Sequence, residues 1–161
     1  MKMTTAVLCA VVIIITRILN MPDPVASLMD FLMPNAYAEI NPKGVAYTES
    51  RGMTKAQKLK QGPAGELGTY QITPPAFRDL QRLMPEKYGK HDFYKIATDD
   101  QLAQEALMDY MGLLKDHYAK HWNIQPTDPN LLQMYNLGPG AFRRGKRNPA
   151  YVNTYYQGLR R

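Results

Sequence analysis

An α+β domain dominated by α-helix is what the sequence predicts, and three observations carry that expectation. Stretches of helical periodicity recur between residues 41 and 158, and most begin at a polar residue beside a proline. One stretch, residues 62–73, is instead glycine-rich with β-favouring residues, which predicts a hairpin or an ordered loop. The 161 residues allow one domain, and 45% hydrophobic with 21% charged residues is a globular composition. A disordered tail, a collagen-like repeat and a disulfide-stapled miniprotein are excluded. The formal net charge of +6 suits an anionic environment: nucleic acid, a membrane surface or a cell-wall polymer.

Residues 1–38 read as an address. Lys2 precedes an uncharged, mostly apolar run that ends at Thr16, and Arg17 stops it. That run has the length of a signal-peptide core and falls short of the ~20 residues a spanning helix needs. Ala36-Tyr37-Ala38 offers small residues for cleavage before Glu39. The apolar run lies far from that site, so an uncleaved N-terminal membrane anchor stays open, and a buried N-terminal helix is a third reading. Cys9, the single cysteine, lies inside the run, and Leu8 is too bulky to precede a lipidated cysteine. Residues 39–161 thus carry no cysteine and no basis for a disulfide. Lys2 and Arg17 balance Asp23 and Asp30, so the +6 belongs to residues 39–161. It concentrates in Lys55–Lys60 and Arg143–Arg147.

The elements follow in order. Asn41-Pro42 is a cap with proline at the first helical position, and Val45, Ala46 and Glu49 share a face, which puts Glu49 near a helix end. The basic segment 52–63 holds one short surface helix. Pro74-Pro75 opens a helix with Phe77, Leu80 and Met84 on one stripe. Thr98-x-x-Gln101 reads as a capping box before the longest helix, roughly 99–121, with Leu102, Ala106, Tyr110, Leu113 and His117 on its apolar stripe. Asp128-Pro129 starts another helix, which Gly138-Pro139-Gly140 ends. Pro149 starts the last, carrying Tyr151, Val152, Tyr155 and Tyr156.

Three blocks carry the chemistry. They are Glu49-Ser50-Arg51-Gly52, Gly62-Pro63-Ala64-Gly65-Glu66-Leu67-Gly68-Thr69-Tyr70-Gln71-Ile72-Thr73-Pro74, and Met134-Tyr135-Asn136-Leu137-Gly138-Pro139-Gly140. In this order they resemble the lytic transglycosylase domain of the soluble-transglycosylase type, within the lysozyme-like superfamily. Tyr151-Val152 is a weaker fourth echo, and the resemblance spans roughly residues 40–158. It implies a lysozyme-like fold with a small β-hairpin or loop region beside a helical bundle. It implies peptidoglycan cleavage between N-acetylmuramic acid and N-acetylglucosamine, ending in a 1,6-anhydro sugar. Glu49 would act first as acid toward the leaving oxygen, then as base toward the C6 hydroxyl. The substrate's N-acetyl group would stabilise the intermediate, so no second protein carboxylate and no cofactor or metal is required. Glu49 suits the acid role in its own right, because apolar residues precede it and an apolar setting raises a carboxyl's pKa.

Around it, Ser50 orients Glu49 or binds a sugar, or else is a polar helix-end residue. By resemblance Tyr135 gives Glu49 a hydroxyl hydrogen bond, and Asn136 lines the cleft or holds the turn. Gln71 suits an N-acetyl group, or serves as a structural turn amide. Tyr151 joins them as a substrate-binding candidate.

Several departures bear on mechanism. Glu49 and Gln71 are 22 residues apart, about four more than the family pattern, with the excess in basic residues 53–61. Tyr70 stacks on a sugar or fills a core gap. Glu66 is a candidate second carboxylate; facing Glu49, it would permit hydrolysis by water, and otherwise it is a solvated turn residue. Arg51 would lower the pKa of Glu49 if paired with it, and is expected to face solvent. His117 and His121 stand four apart without a third ligand, so packing is favoured over metal. Arg143, Arg144, Lys146 and Arg147 read as a nucleic-acid patch, a contact for wall carboxylates or a solvated loop; the export segment argues against nucleic acid.

The resulting expectation is an exported monomer of the periplasm or cell envelope, with peptidoglycan strands as its partner. A single small domain suits local wall opening for a secretion or conjugation apparatus or a phage, whose components would then be partners, and inner-membrane anchoring or a virion are the alternative locations. Rival readings are a lysozyme-type muramidase on the same fold and a non-catalytic glycan-binding or assembly protein.

Overall fold

Asn41 and Pro42 open the first helix by the mechanism their sequence predicts. The computed structural model describes residues 40–161, so the readings of residues 1–38 as signal or anchor lie outside the described residues. Asn41 Oδ1 accepts the Lys43 amide, and Pro42 starts α1, Pro42–Ser50. A Thr54–Gln57 capping box starts α2, Lys55–Lys58, in the basic segment. Thr73 caps α3, Pro74–Leu83. Two short helices follow, α4 at Pro85–Tyr88 and α5 at Phe93–Thr98. Then come α6, Asp100–Leu113, which continues as a π-helical segment Leu114–Ala119, and α7, Asp128–Leu137. The chain ends with α8, Pro139–Arg143, and α9, Pro149–Leu159. The described domain is predominantly helical.

Three details differ from the sequence expectation. Asp99, not Thr98, caps α6: its Oδ1 accepts the amides of Gln101 and Leu102. Thr98 is the last residue of α5, and its hydroxyl already donates to the Tyr94 carbonyl. The expected apolar stripe also breaks at His117, which is exposed. It lies in the π-helical segment, whose wider turn shifts the register of everything after it. The buried row is Ala103, Ala106, Leu107, Tyr110, Met111 and Leu114. Finally, Gly138 ends α7 at φ 77°, but Pro139 restarts a helix at once.

Residues 62–73 form the ordered loop rather than the hairpin. Among the described residues the β-structure is one antiparallel bridge, Leu67 with Ile72, closed by two 3.1 Å hydrogen bonds. The chain between them turns through Gly68 at φ 82° and Gln71 at φ 50°, which leaves no room for a ladder. Gly68 is doubly constrained, because a Cβ there would lie 1.8 Å from the Ala97 carbonyl oxygen.

The core gathers around α6, with Leu80 from α3, Leu132 and Met134 from α7, and Tyr155 from α9 all fully buried. Each such side chain contributes about 1.5–3 kcal/mol of burial. Helices α1 and α9 pack against each other through two glycines: a Cβ on Gly44 would sit 2.6 Å from the Tyr155 ring, and one on Gly158 would sit 2.8 Å from Tyr47. Among the described residues no helix is long and apolar enough to cross a membrane.

Candidate active site

Glu49 is the penultimate residue of α1, and its side chain lines a cavity of about 360 Å³. Glu66 and Gln71 from the loop, and Tyr135 and Asn136 from the end of α7, line the same cavity. Four residues from two other sequence blocks therefore meet around one carboxyl group.

The close approach of α1 and α9 sets the partner of that carboxyl. Tyr151 lies 102 positions later in the chain, yet its hydroxyl donates to Glu49 Oε1 at 2.5 Å. The ring is 7% exposed, so the bond forms away from bulk water, where it is stronger. Burial pushes the Glu49 pKa up from 4.5 to about 7. The Tyr151 hydrogen bond opposes that rise, and the charge of Glu66 adds to it. Arg51 does not neutralise the site: it is exposed, and its guanidinium lies 5.3 Å from the centre of the Tyr47 ring. The result is a carboxyl that both gives and takes a proton near neutral pH.

The other predicted residues divide by what their polar atoms already do. Tyr135 does not bond Glu49, as the resemblance implies; its hydroxyl donates to the Tyr70 carbonyl at 2.7 Å and ties α7 to the loop. Its reach is fixed by packing, edge-on against Tyr110 at 6.1 Å. Ser50 is buried and donates to the Ala46 carbonyl one turn back, which keeps its hydroxyl off Glu49. Tyr70 is 6% exposed, with its hydroxyl on Gln104 Oε1, so most of its ring fills the core and the rest lines a depression beside Thr69 and Asp100, not the Glu49 cavity. Gln71 donates from Nε2 to the Gly68 carbonyl at 2.7 Å, holding its own turn while it lines the cavity. Glu66 Oε2 accepts the Ala64 amide at 2.8 Å, so this carboxylate both braces the turn and faces the cavity. Asn136 is exposed at the cavity edge and accepts from Asn148 Nδ2.

Sequence reasoning missed Asn148. Its Oδ1 accepts the Tyr151 amide, its Nδ2 reaches Asn136, and its own amide donates to Gln133 Oε1. One residue thus caps α9, fixes Tyr151 and locks α9 to α7. Asn148-Pro149 repeats the Asn41-Pro42 pattern, and that was the available signal.

No family model, curated protein or solved structure matches the chain. Among the described residues no group of three or more His, Cys, Asp or Glu is placed to hold a metal ion. A larger depression of about 690 Å³ runs beside Thr69, Asp100 and Gln104, but its carboxylates are exposed and none resembles Glu49. A third concavity, lined by Lys55 and Lys58, shares Met53 with the Glu49 cavity and Thr69 and Asp100 with the depression. The three concavities are thus neighbours on the surface.

Proposed function

We propose that this protein is a lytic transglycosylase of lysozyme-like fold, acting on peptidoglycan. The observation that carries the reading is Glu49: a partly buried carboxyl with a pKa near 7, lining an open cavity and without a paired cation among the described residues. The order of the three sequence blocks supports it, as does their convergence on one cavity.

In this mechanism the Glu49 carboxyl delivers its proton to the glycosidic oxygen, and the C1–O bond breaks. The carbonyl oxygen of the substrate's own N-acetyl group bonds to C1 and holds the positive charge. Glu49, now a carboxylate, takes the proton from the C6 hydroxyl. The C6 oxygen then bonds to C1 and releases the acetamido oxygen. The product is the 1,6-anhydro sugar, and Glu49 ends protonated as it began. Tyr151 steadies the ionised stage through its hydrogen bond, while burial favours the protonated stage. Positioning and a tuned proton donor suffice, and no cofactor enters.

A muramidase is the second reading, and Glu66 favours it, since a second carboxylate beside the same cavity could activate water. Mass spectrometry of digested sacculi separates the two. Anhydro-muropeptides support the transglycosylase; reducing-end muropeptides overturn it in favour of hydrolysis. Sacculi bound without release of any fragment would leave only a glycan-binding role. A signal peptide or membrane anchor at residues 1–38 would place this work in the periplasm or cell envelope, where local wall opening could serve a secretion or conjugation apparatus or a phage.

A further inference from the structure

The basic turn after α8 is not used by this chemistry, and it borders a separate concavity. That cavity, of about 530 Å³, is lined by His121, Trp122, Asn130, Phe142, Arg143 and Arg147, among others. None of these residues lines the Glu49 cavity.

Both guanidinium groups are held in place by aromatic faces. The Arg143 guanidinium lies 4.9 Å from the centre of the Trp122 ring, and that ring packs against Tyr118 at 5.2 Å. The Arg147 guanidinium lies 3.9 Å from the centre of the Phe142 ring. Arg147 Nη1 also donates to the carbonyls of Phe142 and Lys146, both at 2.8 Å. Neither arginine forms an ion pair with an acidic residue among the described residues. Arginine side chains on an ordinary surface are mobile, and ordering them costs rotamer entropy. Here stacking has already met much of that cost, while the remaining N–H groups stay free for a ligand. Two fixed forks beside one concavity match a planar carboxylate, which a guanidinium binds through two parallel hydrogen bonds. Lysine, a point charge, does not line this cavity.

We propose that this cavity is a second, non-catalytic binding site for carboxylate groups of an acidic peptide. The source of those carboxylates, the peptide stems of the wall polymer, rests on the function proposed above; the carboxylate site itself does not. Such a site would hold the enzyme on an uncleaved strand between turnovers.

Trp122 is the chain's only tryptophan, so its fluorescence reports on this cavity alone. The test titrates the full chain with glutarate at matched ionic strength, exciting where tyrosine does not absorb. The expected result is a saturable change in Trp122 emission, with a Kd on the order of a millimolar. Arg143→Gln combined with Arg147→Gln should weaken it at least about tenfold. Arg143→Gln alone guards against misfolding, because the Arg143 side chain makes no hydrogen bond to the fold among the described residues, and it should weaken binding several-fold. Arg143→Lys should do nearly the same although it keeps the charge. The Glu49→Gln variant should give the wild-type curve, so a failure of the catalytic reading leaves this result standing. No saturable change in the wild type, or an unchanged curve in the double variant, overturns the site. An equal response to inorganic phosphate overturns the carboxylate assignment.

Discussion

Two concavities on one small domain treat charge in opposite ways. In the Glu49 cavity a carboxyl is withdrawn from water, given one phenolic donor and pushed toward neutrality. In the Arg147 cavity two guanidiniums lie against aromatic rings, with no acidic partner among the described residues. The difference follows from where each sits. Glu49 lies between packed helices, where desolvation dominates. The arginines lie on an exposed turn, where aromatic faces fix direction without removing water. A buried group is thereby suited to exchanging a proton, and an exposed fixed group to holding an anion.

The largest test of that contrast is Glu49→Gln. It should abolish release of glycan fragments, by three orders of magnitude or more, while leaving the arginine cavity intact. It should also raise stability at alkaline pH. Because the folded pKa of Glu49 is about 7 against 4.5 unfolded, the folded protein holds an extra proton between those values. Its stability is therefore greatest below the lower value and falls as pH rises through about 7. Chemical denaturation should find Glu49→Gln more stable than wild type by roughly 3 kcal/mol near pH 8, and equal to it near pH 4. A variant whose stability matches that of the wild type at both pH values would show that Glu49 is not desolvated.

Next in size is Gly158→Ala. A methyl group there meets the Tyr47 ring, so α1 and α9 must separate. The expected cost is about 1–3 kcal/mol in thermal or denaturant unfolding. Activity should fall further than stability, because Tyr151 loses its hold on Glu49. The glutarate response of Trp122 should not change.

Tyr151→Phe should move the alkaline limb of kcat/KM upward by up to about one pH unit, because the bond it removes favours ionised Glu49. Glu66→Gln should move the same limb downward by less, since a repelling charge disappears. A transglycosylase should keep most of its rate in Glu66→Gln, whereas a muramidase using Glu66 should lose it. Arg147→Gln should shift neither limb. If it does, the two cavities are electrostatically joined and the contrast fails.

Much of this domain was legible because helix starts are local. Asn41-Pro42 and Thr73-Pro74 each show their cap and their first helical residue side by side, and the structure uses both. Where two helices abut, that local signal misled: Thr98 looks like a cap, but it is occupied by the helix it ends. The π-helical segment was invisible, since a strict helical period cannot show where the register slips. Among the site residues, Glu49, Glu66, Gln71 and Asn136 were named from their blocks, and all four line one cavity. Tyr135 was given the wrong acceptor, and Ser50 and Tyr70 spend their hydroxyls inside the fold. Their donors were countable in the sequence, but their acceptors were not.

The sequence by itself determined where helices begin, where glycine must turn the chain and which carboxyl ends the first helix. Those features depend on neighbours a few positions apart. Only the tertiary structure decided that Tyr151, rather than Tyr135, holds Glu49. That choice depends on how closely two helices approach, and small residues at Gly44 and Gly158 set the approach. Charge divided in the same way. The sequence supplied +6, and packing decided which charges stay in water and which carboxyl is driven toward neutrality. Desolvation is a property of surroundings assembled from distant parts of the chain, and no spacing along the sequence encodes it.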